Sequence, residues 1–242
     1  MIYKLSFSFK RDKGFRKYLF AIMIFHFTAT QIEAQNAEAI LQKLKQKLEK
    51  VNDYEASGKM KTNVVFIKAP VADVKVYYKK PNMLRIINDN GISFIPKGSV
   101  NISLNNIFAD LQNFDIIDGG DDSEGLHVIK MLPKGDTADI VLSTLYIDEK
   151  NLLIKKSKTT TRENGSYELL MSYGKYAEYE LPDKIVFSFN TKDYKLPKGI
   201  TLDYDEGTEK NNDKLKNKKG TVEIIYSNYV INKGIDNKIF RH

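Results

Sequence analysis

The clearest alternation of apolar and polar residues lies between Leu145 and Phe189. A period of two is typical of β-strands that bury one face. Turn residues interrupt the stretch at Asp148–Asn151, at Asn164-Gly165 and at Leu181–Asp183, and Asn-Gly is the strongest short hairpin signal. The alternating apolar positions are Tyr167, Leu169, Met171 and Tyr173, followed by Ile185, Phe187 and Phe189. We therefore predict an antiparallel meander of three consecutive strands with one apolar face that must be covered.

The part of the chain before residue 100 has the same period. It predicts four strands joined by tight connections, which are Met60–Ile67, Ala72–Lys79, Met83–Ile87 and Ile92–Ile95. In the second strand Val74 and Val76 face inward, and the residues Asp89-Asn90-Gly91 form the turn between the last two. An error of one residue in the register of any strand would turn its whole apolar set to the other face.

Three further strands complete the predicted sheet, and these are Leu126–Leu132, Ala138–Ile147 and Thr221–Val230. The last one is long enough to close the sheet. About ten or eleven short strands with one apolar face must curl or be covered to hide that face. The pattern therefore predicts a mainly β fold with some helix, of the α+β class.

Two segments have the spacing of amphipathic helices. The first is Asn36–Val51, with Asn36 as N-cap, and it either lies across the mouth of the sheet or is an ordinary packing helix. The second is predicted over Leu104–Phe114, with Ser103 as N-cap. Its apolar stripe consists of Leu104, Ile107, Phe108, Leu111 and Phe114.

The first 34 residues have the three parts of a secretory signal peptide. Six basic residues precede a short apolar run over Tyr18–Ala29, and Ile32-Glu33-Ala34 resembles a cleavage site. We expect cleavage before Gln35; the alternative is a retained N-terminal anchor, although the apolar run is short for a membrane span. Removing six basic and two acidic residues lowers the formal charge from +7 to +3. The remaining 35–242 is predicted to be one periplasmic domain.

One long segment interrupts the predicted strands. Residues 191–219 are rich in charges, Asn and Gly, which is the composition of an exposed insertion. Within it Lys210–Lys219 is basic, and we interpret it as a solvated loop rather than a partner-docking site. The mild positive charge of the remaining chain does not indicate nucleic-acid binding, because no known motif accompanies it.

The residue types that carry most enzymatic chemistry are scarce. The chain has no cysteine, so thiolate chemistry and cysteine-ligated metals are excluded. Gly119–Gly125 is an acidic stretch whose spacing matches no calcium loop, and we predict a flexible solvated turn with no metal. His127 lacks a nucleophile motif to serve, and we expect it in a strand, facing water. We predict no cofactor and no catalytic residues. An enzyme that uses only a pair of carboxylates remains an alternative.

Several short motifs, taken in order, resemble a known family. Val76–Arg85 (VYYKKPNMLR) resembles the strand, basic-Pro-Asn turn and strand of the LolA family of periplasmic lipoprotein carriers. Met131–Pro133, Leu145–Asp148 and Leu181–Ile185 are similar to later strands of the broader LolA/LolB-like group. The similarity extends from about Ala37 to Asn232, and the order of the motifs carries it.

The resemblance implies a curved, incomplete antiparallel β-barrel covered by lid helices, with an apolar cavity for acyl chains. It also implies lipoproteins or related lipids as cargo, an inner-membrane ABC transporter as donor, an outer-membrane acceptor, and a monomer. The chain departs from the pattern of the LolA family in two ways, which concern the mechanism of cargo release. It has no Trp, and it has no Arg between Gly58 and Ile67 that would match the residue that locks the lid in the family. The lipid-binding residues we predict are Val74, Val76, Leu84, Ile86, Ile107, Phe108, Leu111, Phe114, Leu169, Met171, Phe187 and Phe189.

A second function remains open. Some regulatory domains similar to LolA are envelope sensors or interaction modules that bind a lipid or peptide signal without catalysis. Such domains usually accompany a second domain, for which this chain has little room. We therefore expect the carrier.

Overall fold

A computed structural model gives the structure, which describes residues 36–63, 70–81, 83–88, 108, 111–135, 139–162, 165–190 and 219–240. Several predictions fall outside these residues. They concern the signal peptide over residues 1–34, the strand Ile92–Ile95 with its turn, most of the second helix including Ile107, and residues 191–218 of the insertion.

The described residues form a helix, ten strands and three short 3-10 helices. Helix α1 covers residues 36–48, and the 3-10 helices are Leu111–Asn113, Ala177–Tyr179 and Asn237–Phe240. The strands are β1 Asp53–Asn63, β2 Ala72–Lys79, β3 Met83–Asn88, β4 Phe114–Asp121, β5 His127–Pro133, β6 Ile140–Asp148, β7 Leu153–Thr161, β8 Ser166–Ser172, β9 Lys184–Asn190 and β10 Lys219–Ile231. None of the described helices is both long enough and apolar enough to cross a membrane.

All ten strands belong to one antiparallel sheet with the order β3-β2-β1-β10-β9-β8-β7-β6-β5-β4. The last strand, β10, lies between β1 and β9, so it joins the N-terminal strands to the predicted meander. Among the described residues β3 and β4 are the two edges, and the sheet is therefore not closed. This architecture matches an incomplete β-barrel, as the resemblance stated above implies.

The apolar face of the sheet packs against α1. Ile40, Leu41 and Leu44 of the helix are each exposed by 1% or less. They belong to the same apolar cluster as the inward residues of β1, β2 and β5 to β10. The helix therefore covers the inner face of the sheet, which is the face that the alternation predicted to need a cover.

A β-bulge shapes the middle of the sheet. Ser57 pairs with Asn228, whereas the next residue, Gly58, pairs with Tyr226, so β10 contains one extra residue. In a regular strand Tyr226 and Tyr229 would lie on opposite faces. The bulge turns both side chains inward, and both are buried.

Several predicted boundaries are wrong. Helix α1 ends at residue 48 rather than at Val51. Strand β1 begins at Asp53 rather than at Met60, because two of its inward positions are the small residues Ala56 and Gly58, which give a weak apolar signal. Phe114 starts β4 instead of ending a helix.

Two more predicted boundaries, at the acidic stretch Gly119–Gly125 and at the end of the charged insertion, are also wrong. Strand β4 continues through Asp121, so the predicted flexible loop over Gly119–Gly125 begins only after that residue. There the Asp122 side chain holds the turn by accepting hydrogen bonds from the backbone N–H groups of Glu124 and Leu126, both at 2.9 Å. Lys219, assigned by sequence to the insertion, pairs with Asn190 as the first residue of β10.

Candidate functional site

The structure brings the predicted lipid-binding residues together on the inner face. Eight of them are buried in the single apolar cluster beneath α1: Val74, Val76, Phe108, Leu111, Leu169, Met171, Phe187 and Phe189. Three more, Leu84, Ile86 and Phe114, are partly buried and pack against that cluster. Ile107 lies outside the described residues. The placement makes a continuous apolar interior, while the role of these residues in binding lipid stays a prediction.

Two clefts flank α1. The larger, which we call the C-terminal cleft, has a volume of about 430 Å³. Its lining consists of Lys45, Leu48, Glu49, Tyr78, Lys80, Pro81 and Phe108. The smaller, the N-terminal cleft, has a volume of about 150 Å³ and is lined by Glu38, Leu41, Gln42, Leu111, Gln112, Phe114, Ile116 and Lys134. Residues of α1 line both clefts. The C-terminal cleft also includes Phe108, Tyr78, Lys80 and Pro81, and the N-terminal cleft also includes Leu111, Gln112, Phe114, Ile116 and Lys134.

A group of tyrosines, the tyrosine cluster, lies on the inner face at the C-terminal end of α1. Its members are Tyr54, Tyr78, Tyr176, Tyr226 and Tyr229. The ring of Tyr229 contacts three others, with centroids 5.4 Å from Tyr54, 5.0 Å from Tyr176 and 5.1 Å from Tyr226. Tyr54 also stacks on Tyr78 at 5.3 Å.

Members of the tyrosine cluster differ in environment, because Tyr176 is partly exposed and the hydrogen bond from the backbone N–H of Tyr229 lowers its pKa. Burial raises the pKa of Tyr54, of Tyr226 and of Tyr229 well above the usual tyrosine value, so these hydroxyls stay protonated and remain hydrogen-bond donors at physiological pH. Sequence reasoning missed the cluster because the bulge in β10, which brings Tyr226 and Tyr229 to one face, has no signal in the alternation.

A buried carboxylate fixes the C-terminal half of α1. Glu180 is 2% exposed and its Oε1 accepts hydrogen bonds from the backbone N–H of Ile154 at 2.7 Å and from the Tyr173 hydroxyl at 2.9 Å. Its Oε2 lies 3.4 Å from Nζ of Lys47 on α1. That ammonium also donates to the carbonyl of Leu152 at 2.8 Å. We call this arrangement the carboxylate clasp, and it ties the helix to the start of β7 and to the residues that follow β8.

Opposing effects act on the pKa of the Glu180 carboxyl. Burial raises the pKa of this carboxyl, while the hydrogen bond from Ile154 and the nearby Lys47 ammonium lower it, and the net direction is upward. Burial and the neighbouring Glu180 also raise the pKa of Tyr173. The sequence gives no sign of the clasp, because Lys47 and Glu180 are distant in the chain.

The expectation that His127 faces water is wrong. It is 7% exposed because it occupies the same inward phase of β5 as Ile129 and Met131. Its Nδ1 lies 3.1 Å from Oδ1 of Asp121, and its Nε2 lies 3.2 Å from Oδ2 of Asp118. Both carboxylates come from β4, so the contact joins the edge strand to its neighbour.

Comparison with solved structures supports the architecture. A domain of an outer-membrane lipoprotein-sorting protein from Vibrio parahaemolyticus superposes with a TM-score of 0.54 at 11% identity, covering 86% of this chain and 97% of that one. A DUF1329 family protein from Desulfovibrio piger superposes with a TM-score of 0.53, also at 11% identity and with the same coverage. The chain has a LolA-like fold.

At these identities the likeness shows the LolA-like fold and nothing finer. A LolA superfamily protein from Nitrosomonas europaea also matches, with a TM-score of 0.48, 13% identity, and coverage of 85% of this chain and 97% of that one. No protein-family model matches the sequence, and no curated protein does either.

Proposed function

We propose that this protein is a periplasmic carrier that binds the acyl chains of lipoproteins, or of related lipids, and transfers them from the inner toward the outer membrane. The observation that carries the proposal is the inner face of the sheet, where the predicted lining residues form one apolar cluster beneath α1. The LolA-like fold, shared with a lipoprotein-sorting domain, supports it.

The two clefts suggest how acyl chains would enter. Ligand sites for small molecules usually measure about 300–1,000 Å³, and the C-terminal cleft of about 430 Å³ lies in that range. The N-terminal cleft of about 150 Å³ does not. A cargo with several chains would therefore require α1 to move away from residues 108–116, so that the clefts merge with the apolar interior.

The magnitude of acyl-chain binding shapes the mechanism. Each buried methylene contributes about 0.8 kcal/mol, so one chain with about 15 of them would gain roughly 12 kcal/mol over water. Release into water would be too slow for transport. The carrier would therefore receive cargo from an inner-membrane ABC transporter and pass it directly to an outer-membrane acceptor, without catalysing a reaction and without a cofactor. The signal peptide predicted over residues 1–34 would deliver it to the periplasm.

The first experiment is native mass spectrometry of the protein purified without detergent from the periplasm of its own host. We expect lipoproteins or lipids to co-purify in a ratio near one to one and to dissociate on denaturation. A clean apo mass together with no uptake of fluorescent acyl probes would contradict the carrier. It would favour the non-catalytic sensor or interaction module.

Substitutions in the 108–111 segment test the site itself. We expect Leu111→Glu and Phe108→Glu to reduce retention of an acyl probe at least tenfold, because a charge in the apolar interior is strongly disfavoured. Leu170→Glu is the matched control, since Leu170 is 41% exposed on the outer side of β8. Circular dichroism separates the two roles of these residues. A variant that is folded but retains probe as the wild type does would contradict the proposed site, and one that unfolds would indicate a purely structural role.

A further inference from the structure

The C-terminal cleft combines an apolar floor with a basic rim. Tyr78 and Phe108 are exposed by 0% and 2%, and Leu48 by 7%, so they belong to the interior rather than to the surface. The rim carries the ammonium groups of Lys45 and Lys80 and one carboxylate, that of Glu49. Two positive charges therefore face one negative charge at the mouth of an apolar cleft.

Lys45 has no counter-charge within the part of the chain that the structure describes. The residue is half-buried on α1, and no described residue forms a hydrogen bond or an ion pair with its ammonium group. Its neighbour Lys47, two residues further on, is by contrast fully engaged in the carboxylate clasp. The ammonium of Lys45 lies at the mouth of the apolar cleft with no charged partner among the described residues, so it is available to an anion bound in the cleft.

Lys80 is held in place with donor capacity to spare. Its Nζ donates to the backbone carbonyl of Glu49 at 2.7 Å and to Oδ1 of Asn52 at 3.4 Å. An ammonium has three N–H donors, so one is left. Because the partners belong to the C-terminal end of α1 and the turn after it, the ammonium is fixed beside the cleft rather than free in solvent.

We propose that the C-terminal cleft is a headgroup site, which binds the anionic headgroup of a single-chain amphiphile, such as a phosphate or carboxylate, between Lys45 and Lys80. The attached acyl chain lies over Leu48 and Phe108 toward the apolar interior. This inference rests on the proposed function, and it adds a selectivity that an apolar cavity alone does not have. Charge complementarity favours an anionic headgroup, because a cationic headgroup would face the two ammonium groups of Lys45 and Lys80.

The test compares probes with the same chain and different headgroups by isothermal titration calorimetry on the purified mature protein. The probes are dodecyl phosphate, dodecyl maltoside and dodecyltrimethylammonium, each below its micelle concentration, together with inorganic phosphate. We expect dodecyl phosphate to bind about tenfold or more tightly than the other two amphiphiles, since a charge-assisted hydrogen bond has about that effect. Inorganic phosphate should bind far more weakly, because it lacks the chain.

Substitution of the lysine isolates its contribution. We expect Lys45→Gln to weaken dodecyl phosphate binding about tenfold and to leave dodecyl maltoside binding unchanged. Lys43→Gln is the matched control, because Lys43 is exposed on the same helix and does not line the cleft. Equal binding of dodecyl phosphate by Lys45→Gln and wild type would overturn the headgroup site.

The remaining outcomes separate this inference from the proposed function. If all three dodecyl probes bind equally, the carrier stands and the headgroup site is wrong. If inorganic phosphate binds as tightly as dodecyl phosphate, the cleft is a free-anion site and the inference is again wrong. If no dodecyl probe binds at all, both the carrier and its headgroup site are contradicted.

Discussion

At the scale of single residues, Glu180 is a buried carboxyl whose burial is costly. Its side chain is inaccessible to solvent, and its backbone is in the left-handed region at φ 56°. Two hydrogen-bond donors, the Ile154 N–H and the Tyr173 hydroxyl, and the Lys47 ammonium 3.4 Å from Oε2 offset part of the cost of burying a charge. The upward direction of its pKa indicates that they do not offset all of it.

The pH dependence of stability should reveal this cost. A carboxyl whose pKa is raised in the folded state binds its proton more tightly there than in the unfolded chain. Its contribution to stability is therefore fully present below the ordinary glutamate value of 4.5 and is lost as the pH rises through the raised value. We expect wild type to lose stability relative to Glu180→Gln across that window, measured by urea unfolding at a series of pH values between about 4 and 7.

The comparison works because glutamine is always neutral and keeps the acceptor that serves Ile154. The other ionisable groups are common to both proteins and cancel in the difference. Stability curves that stay parallel over the whole range would show that Glu180 does not titrate differently on folding. The cost of burying the carboxylate would then be fully compensated by its two hydrogen bonds and the Lys47 ammonium.

At the scale of elements, the bulge between β1 and β10 depends on close backbone approach at Gly58. A Cβ added to Gly58 would overlap the backbone oxygen of Ile225 on β10. We expect Gly58→Ala to destabilise the fold by about 1–3 kcal/mol, the usual cost of overpacking, as measured by urea unfolding.

The adjacent residue provides the control for this substitution. Ser57 takes part in the bulge through its backbone carbonyl, which accepts a hydrogen bond from Oγ of Ser227 at 3.0 Å. Ser57→Ala keeps that carbonyl and should change stability little. If Gly58→Ala were as stable as wild type, the two strands would have room to separate, and the bulge would not require glycine.

The strands that could be predicted are those whose signals are local. Turn residues and alternation predicted β7, β8 and β9, and β10 begins and ends within two residues of its predicted bounds. Asp148 also forms its predicted turn, where its Oδ1 accepts a hydrogen bond from the backbone N–H of Asn151 at 3.1 Å.

Predictions were wrong where a helix period and a strand period fit the same residues, or where contacts between segments distant in sequence determine the structure. Phe114 fits the apolar stripe of a helix together with Leu111. Phe114 and Ile116 also alternate with the polar Asp115, as in a strand, and the pairing with β5 places Phe114 in a strand. Pairing partners, the bulge, the clasp and the position of His127 depend on contacts between residues far apart in sequence. No local pattern encodes those contacts, so the sequence predicted the lining of the interior but neither the tyrosine cluster nor the means by which α1 is held.

At the scale of the whole molecule, the proposed carrier requires α1 and residues 108–116 to separate. The two segments form opposite walls of the N-terminal cleft, with Gln42 on the helix and Gln112 on the 3-10 helix Leu111–Asn113. Both glutamines are exposed, so replacing them should not disturb the core. Because the chain has no cysteine, Gln42→Cys and Gln112→Cys together would create a unique pair for a short bis-maleimide.

Cross-linking this pair should slow uptake of a fluorescent acyl probe at least tenfold, because the interior beneath α1 would stay covered while the fold remains intact. The two single-cysteine variants, treated with the same reagent, control for modification without a link, and they should take up probe at the wild-type rate. Uptake by the cross-linked protein at an unchanged rate and to an unchanged extent would show that the two segments need not separate. Acyl chains would then have to enter from another side of the sheet, and α1 would be a fixed part of the core rather than a cover that opens.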